Sequence, residues 1–267
     1  MNVLEKNSRK MPLLFLGHGN PMNALANNNF SRKLTALGQN IPRPKSILCV
    51  SAHWLTEGTW ITGMEKPKTI HDFYGFPQEL FDIQYPALGS PEIAKQIQNL
   101  ILEPRIKIDS ESWGLDHGTW SVLMHLFPKA DIPVLQLSLD KNKTATFHFE
   151  LGKKLKLLRE LGVLIVGSGN IVHNLKKILW KSDASPYSWA VEFDALVKEK
   201  IAQRDFNFFL SEEFEKMQTT LMSVPTPEHW DPLLYILGAS DENDSLRFEY
   251  EGIENGSISM RSLSFGM

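Results

Sequence analysis

Hydrophobic positions along the chain fall into short consecutive runs, separated by longer segments with helical spacing. Five runs read as strands: Pro12–Leu16, Ser46–Val50, Trp60–Gly63, Pro133–Ser138 and Val163–Gly167. Several are apolar at consecutive rather than alternate positions, as strands covered on both faces of a largely parallel sheet require. A sixth run, Ser257–Leu263, alternates more and is expected at a sheet edge. Pro91–Leu102 starts with proline at a first helical position and sets Ile93, Ile97, Leu100 and Ile101 on one face. Thr119–Phe127, Thr144–Leu161, Trp189–Ala202 and Glu228–Leu237 are further predicted helices. The alternation predicts an α/β fold, one domain over residues 1–267 with a central, mostly parallel or mixed sheet flanked by helices. No repeat, low-complexity tract or linker interrupts the pattern. Residues 203–226 are the least patterned stretch and read as a surface excursion.

Composition narrows the function classes. The chain has 267 residues, enough for a large core without staples, and 28 basic against 31 acidic residues. That balance gives no electrostatic footprint for nucleic acid. No apolar run approaches the roughly 18 residues of a membrane span, so no membrane partner is expected. Met1 to Lys10 is polar and lacks the apolar centre of a signal peptide, which points to the cytoplasm. The single cysteine, Cys49, excludes an internal disulfide framework; within Ile47–Val50 it reads as a small buried hydrophobe. Nothing in the pattern reports the oligomeric state.

The placement of the eight histidines carries the chemistry. His18 follows the first strand, His53 the second and His173 the strand Val163–Gly167. Ligands of open α/β sheets bind outside the carboxyl ends of strands, so three histidines at three such ends can converge on one crevice. Each alone also reads as an ordinary polar loop residue. His229 stands behind two prolines in Pro225-Thr226-Pro227-Glu228-His229, a rigid approach to a helix that can aim one side chain. His117 lies in Trp113-Gly114-Leu115-Asp116-His117-Gly118, on a loop before a helix, where it can serve as an acid or base near neutral pH. His125 and His148 sit in helical runs and read as packing residues. His71 belongs to the aromatic-rich Thr69–Pro77 segment, either a pocket wall or a packed surface loop. Gly167-Ser168-Gly169 has the start of a dinucleotide loop, but Val172 occupies the third small-residue position, which disfavours that reading.

These segments together resemble the class III extradiol ring-cleavage dioxygenases, in the branch of bacterial and plant DOPA 4,5-dioxygenases. The likeness rests on Phe15–Met22, Val50–Trp54, Thr69–Pro77, Trp113–Trp120, Gly167–Asn174 and Pro225–His229, and spans almost the whole chain. It implies that His18 and His53 are metal ligands, that His229 takes the place of the third, and that His173 ligates or faces the metal, with a catalytic role open to it. His117 is implied as the acid/base histidine beside the metal. The wider class uses two histidines and a carboxylate, the set expected for non-heme Fe(II); here His229 stands at the last position with Glu228 beside it. All-nitrogen ligation suits zinc. The resemblance therefore implies a divalent metal, with zinc readily bound and Fe(II) needed for oxygenation. The implied partners are O2 and a small catechol such as DOPA, opened next to the diol to a muconic semialdehyde. Trp54, Phe73, Tyr74, Phe76, Trp113 and Trp120 flank these histidines in sequence and are expected to stack on the ring, or to be core. Two rival readings share the cluster: a zinc hydrolase acting through a metal-bound water, and a non-catalytic Memo-type binding protein on the same scaffold.

Overall fold

The consecutive apolar runs become strands sandwiched between two layers of helices. In the computed structural model, which describes residues 4, 10–181 and 184–267, eight strands form one sheet. The polar stretch at residues 1–10, read above for its lack of a leader's apolar centre, lies outside the described residues except at Leu4 and Lys10. The strands are β1 (Leu13–Gly17), β2 (Ser46–Thr56), β3 (Thr59–Thr62), β4 (Ile106–Asp109), β5 (Val134–Asp140), β6 (Val163–Gly169), β7 (Leu246–Tyr250) and β8 (Ser262–Phe265). Their order is β4-β3-β5-β2-β6-β1-β8-β7. The central four, β5, β2, β6 and β1, run parallel. β8 and β7 pair antiparallel on one side, and β3 lies antiparallel to β5 on the other. This is a single α/β domain with a mixed sheet.

Successive residues of one strand serve opposite layers. Leu13 and Phe15 join one core cluster while Leu14 and Leu16 join the other; Leu48 and Val50 are likewise opposed to Ile47 and Cys49. Since side chains alternate across a sheet, two covered faces demand an unbroken apolar run. The main helices are α1 (Asn29–Asn40), α2 (Pro91–Leu100), α3 (His117–Leu126), α4 (Ala145–Leu155), α5 (Ser188–Ala202) and α6 (Asp231–Ala239). Helices α1 and α3 supply Phe30, Leu34, Trp120 and Leu123 to one layer, whereas α6, α5 and α2 supply Leu233, Phe193 and Ile97 to the other. Among the described residues, no helix is long and apolar enough to cross a membrane.

The structure corrects two expectations and adds a helix. The run Ser257–Leu263 is not an edge strand: it divides into a short strand, Ile258–Ser259, and β8, which lies between β1 and β7. The edge on that side, β7, reads Leu-Arg-Phe-Glu-Tyr, and its polar positions hid it from a hydrophobicity reading. Residues 203–226 are not a surface excursion. They form short turns of helix that carry Phe209 and Phe214 into the core beside Phe193 and Trp230. Helix α1 went unread because its apolar residues Phe30, Leu34 and Leu37 are sparse. Its start is local chemistry, an Asn28–Ser31 capping box.

Candidate active site

Five histidines meet at the carboxyl edge of the parallel strands. His18 follows β1 directly, and its backbone N–H donates to Gly169 O at the end of β6. His53 lies inside β2, which runs on to Thr56; pairing with β5 breaks between Val50 and Leu55, and such an irregularity re-aims a side chain. His117 is the first residue of α3, whose N-cap Asp116 accepts from Thr119 N–H. His229 ends the short turn Pro227–His229, and its carbonyl accepts from Asn170 N–H. His173 follows β6, with its N–H held by Ser223 O.

The rings of His18, His53 and His229 form a nearly regular triangle. Their centroids lie 5.0 Å (His18–His53), 5.3 Å (His18–His229) and 5.0 Å (His53–His229) apart. Three imidazoles bound through nitrogen at ~2.0–2.1 Å to one tetrahedral ion would have centroids roughly 5 Å apart. By the spacing of their rings, these three histidines suit a divalent ion. His18 Nε2 and His53 Nε2 approach to 3.2 Å, close to the roughly 3.3 Å separation of two nitrogens on a tetrahedral ion. The other two rings sit closer. His117 lies 3.9 Å from His53, and His173 stacks on His229 at 3.5 Å with planes 9° apart. Donor atoms of His18, His53 and His117 fall within 4.8 Å of one another, as do those of His173, Glu228 and His229.

Polar partners fix which nitrogen faces the centre in four of the rings, those of His18, His53, His117 and His229. The Ser168 hydroxyl donates to Gly118 O, so it accepts from His18 Nδ1–H at 2.9 Å and leaves His18 Nε2 with its lone pair. Asp72 binds two histidines: Oδ2 lies 3.2 Å from His53 Nδ1, and Oδ1 accepts from both the backbone N–H and Nδ1 of His117 at 2.9 Å. His229 Nδ1 donates to Glu228 Oε1 at 3.3 Å, and Thr226 Oγ1 donates to the same oxygen at 2.7 Å. Such outer partners are how proteins orient metal-binding histidines.

Burial sets the charges. It depresses His18 and His229 well below the ordinary imidazole range, reinforced by their histidine neighbours, and brings His173 down to about 3. His117 is lowered by burial and by His53, against the pull of Asp72. At His53 burial is outweighed by Asp72 and Asp116, and the ring's pKa rises. Two Nε2 lone pairs at 3.2 Å repel unless a cation, proton or metal, stands between them. Burial also opposes the Asp72 carboxylate, yet its two histidines hold it far below the usual range.

These groups line a cavity of about 420 Å³. Phe73, Tyr74 and Phe76 form part of its wall, as the sequence suggested; Trp54, Trp113 and Trp120 do not. Trp54 and Trp113 stack on each other at 5.7 Å, and Trp120 is core, its Nε1–H donating to Ile70 O. His71 packs against Phe73 and Trp120 and bonds Ile83 O, outside the cavity lining. His125 binds Asn23 O, and the buried His148 binds the Tyr235 hydroxyl. Sequence reasoning missed Asp72, Ser168 and Trp180. Asp72 stood beside His71 in a quoted segment, but only the fold shows that its loop folds over α3.

A family profile described as the catalytic LigB subunit of aromatic ring-opening dioxygenase matches residues 17–260. An Escherichia coli K12 protein named 4,5-DOPA dioxygenase extradiol is 48% identical over 97% of this chain and 96% of its own. One of the same name from Beta vulgaris is 36% identical over 94% and 95%. A solved structure of an uncharacterized Escherichia coli K12 protein superposes with a TM-score of 0.82 at 44% identity, covering 96% of this chain and all of that one.

Proposed function

The chain belongs to the LigB family of aromatic ring-opening dioxygenases, and from that premise we propose that it opens the ring of a small catechol with O2. DOPA is the first substrate to try, because relatives in a bacterium and in plants carry its name. The bond broken lies next to the diol, and both oxygen atoms of O2 end in the semialdehyde acid. The observation that carries this reading is the His18–His53–His229 triangle at the floor of an aromatic-walled cavity.

We assign His18, His53 and His229 as holders of one divalent metal. Glu228 supports His229 from behind, its Oε1 already accepting from Thr226 and His229. Fe(II) bound there would supply Lewis acidity and the electron transfer that O2 needs, whereas redox-inert zinc would supply only the first. His173, stacked at 3.5 Å, stands closer to His229 than co-ligands of one ion do, and is read as a neighbour that hydrogen-bonds substrate.

His117 is the general base. Its Nδ1–H is held by Asp72, so Nε2 carries the lone pair, and burial keeps the ring neutral. A catechol hydroxyl gives its proton to Nε2, and the imidazolium so formed is stabilised by the Asp72 carboxylate. That proton can return to the leaving carbon or oxygen as the ring opens. Phe73, edge-on to His117 at 5.5 Å, confines the ring plane. The same reading takes residues 1–267 as one catalytic domain, working in the cytoplasm with its one cysteine unpaired and buried.

The test is oxygen uptake by Fe(II)-reconstituted protein supplied with DOPA or caffeate. Yellow semialdehyde should grow mole for mole with oxygen consumed, and the zinc form should give neither. Inert Fe(II) protein across a broad catechol panel, with zinc protein hydrolysing an amide or ester anaerobically, would replace this reading with the hydrolase.

A further inference from the structure

The chemistry of the outer cavity selects among catechols. Beyond the histidines and Asp72 its wall is mostly apolar, with Phe73, Tyr74, Phe76, Leu175, Ile178 and Trp180 beside Asn20, whose Oδ1 accepts from Met22 N–H. Two of these are unusually bare for aromatic side chains, Tyr74 at 92% and Trp180 at 70% exposed, and Leu175 is 56% exposed. They stand at the mouth, where a ring seated on the histidines would point its 4-substituent. Among the described residues, no lysine or arginine lines the cavity, and its one lining carboxylate, Asp72, is engaged by His53 and His117. Lys176, Lys177 and Lys181 flank the wall in sequence but do not line it.

A charged substituent at this wall would meet no opposite charge and so gain little over its contacts with water. An apolar one would cover the exposed aromatic and aliphatic faces. The cavity's volume of about 420 Å³ leaves room beyond a single ring. From this juxtaposition of an uncharged wall and an exposed aromatic mouth, we propose that the preferred substrates are catechols with a neutral, apolar 4-substituent, gripped by Trp180 and Tyr74, and that zwitterionic or anionic catechols such as DOPA bind more weakly. The proposal rests on the ring-opening reading for its term substrate, and adds to it the class of side chain.

Binding separates the two. Calorimetric titration of zinc-loaded protein, which turns nothing over, would compare catechol, 4-methyl-, 4-ethyl- and 4-butylcatechol with DOPA, dopamine and 3,4-dihydroxyphenylacetate. Affinity should rise about fourfold per methylene along the alkyl series, and 4-butylcatechol should bind at least tenfold tighter than any charged member. In Trp180→Ala the gain per methylene should flatten. Because each variant is judged on its own series, a general loss of folded protein does not imitate that result. With Fe(II) protein the same order should appear in KM, with kcat similar across the alkyl members. A flat alkyl series, or 3,4-dihydroxyphenylacetate binding tightest, would overturn the proposal, the latter assigning the mouth to the nearby lysines. If the binding order holds while no catechol consumes oxygen, the ring-opening reading falls and the ligand class stands.

Discussion

Asp72 ties two functions to one carboxylate. It orients His53, read as a metal ligand, and His117, read as the base. Asp72→Asn should therefore damage both. A carboxamide offers one acceptor where two ring N–H groups now find one each, so its NH2 would face a donor. Loss of such an outer partner typically lowers metal affinity or activity about 10–100-fold. Metal content after dialysis and oxygen uptake should fall together; full metal with full activity would remove Asp72 from the site. His117→Ala should separate them. With the triangle intact, metal stays, and ring opening drops about 10²–10⁴-fold. Metal loss in this variant would instead make His117 a ligand beside His18 and His53, a grouping whose donor atoms lie within 4.8 Å of one another. At this scale the sequence was informative about residue type and silent about partners. His18, His53, His117, His173 and His229 stood out because each follows an apolar run or stands in a glycine- or proline-marked segment of the sequence. Asp72 and Ser168 did not, because their roles arise only where separate loops touch.

At the scale of elements, close backbone approach is what aims the histidines. A Cβ built on Gly169 would lie 2.2 Å from His229 O, and one on Gly118 would lie 2.5 Å from Ser51 Oγ and 2.9 Å from His53 Cδ2. Gly169 thus lets the end of β6 pass beneath the turn that carries His229. In Gly169→Ala the conflicting atom is backbone and cannot rotate away, so the turn must shift. An ångström of displacement at one ligand should cost about a tenfold loss in metal affinity, comparable to losing an outer-layer partner. Gly252→Ala is the control, since its Cβ would meet only the Tyr250 side chain, at an ordinary 3.5 Å from Cε1 and 3.9 Å from the hydroxyl. Competition with a metal-sensitive chelating dye reads both variants; equal affinities would mean that the turn is not positioned by this contact. The elements themselves were legible where burial is two-sided, as in β1, β5 and β6, whose residues are all buried. They were illegible where polar residues alternate, as in β7, or where a short turn of helix is held by tertiary contacts, as around Phe209 and Phe214.

For the whole molecule, the clustering of neutral histidines dictates how stability follows pH. Burial holds His18, His117, His173 and His229 below the ordinary imidazole value, and His148, away from the cavity beside Tyr235, at about 4. Each stays neutral in the folded chain while its unfolded counterpart takes up a proton near pH 6.5. Between pH 6.5 and about 4 the unfolded state binds more protons, so stability falls as the solution is acidified. Three groups oppose this: Asp72 and Asp116 outweigh burial to raise His53, and burial raises Glu254 and Asp231. Burial raises Asp231 to about 8, so the folded chain binds its proton between about pH 4 and 8, which favours folding on acidification. Five depressed histidines outnumber the three raised groups and leave the acid side less stable. The melting temperature of metal-free protein should therefore drop by several degrees from pH 7 to pH 5, since about 1 kcal/mol moves a domain of this size by roughly 2–4 °C. In metal-loaded protein, ligand histidines cannot take protons until the ion leaves. Its melting temperature should hold to lower pH and then fall in step with metal release, followed by a chelating dye in the same samples. A metal-free melting temperature that stays level from pH 7 to pH 5 would show that the buried histidines keep near-ordinary proton affinities. In that case His117 would be largely protonated at pH 6 and unable to act there as the base.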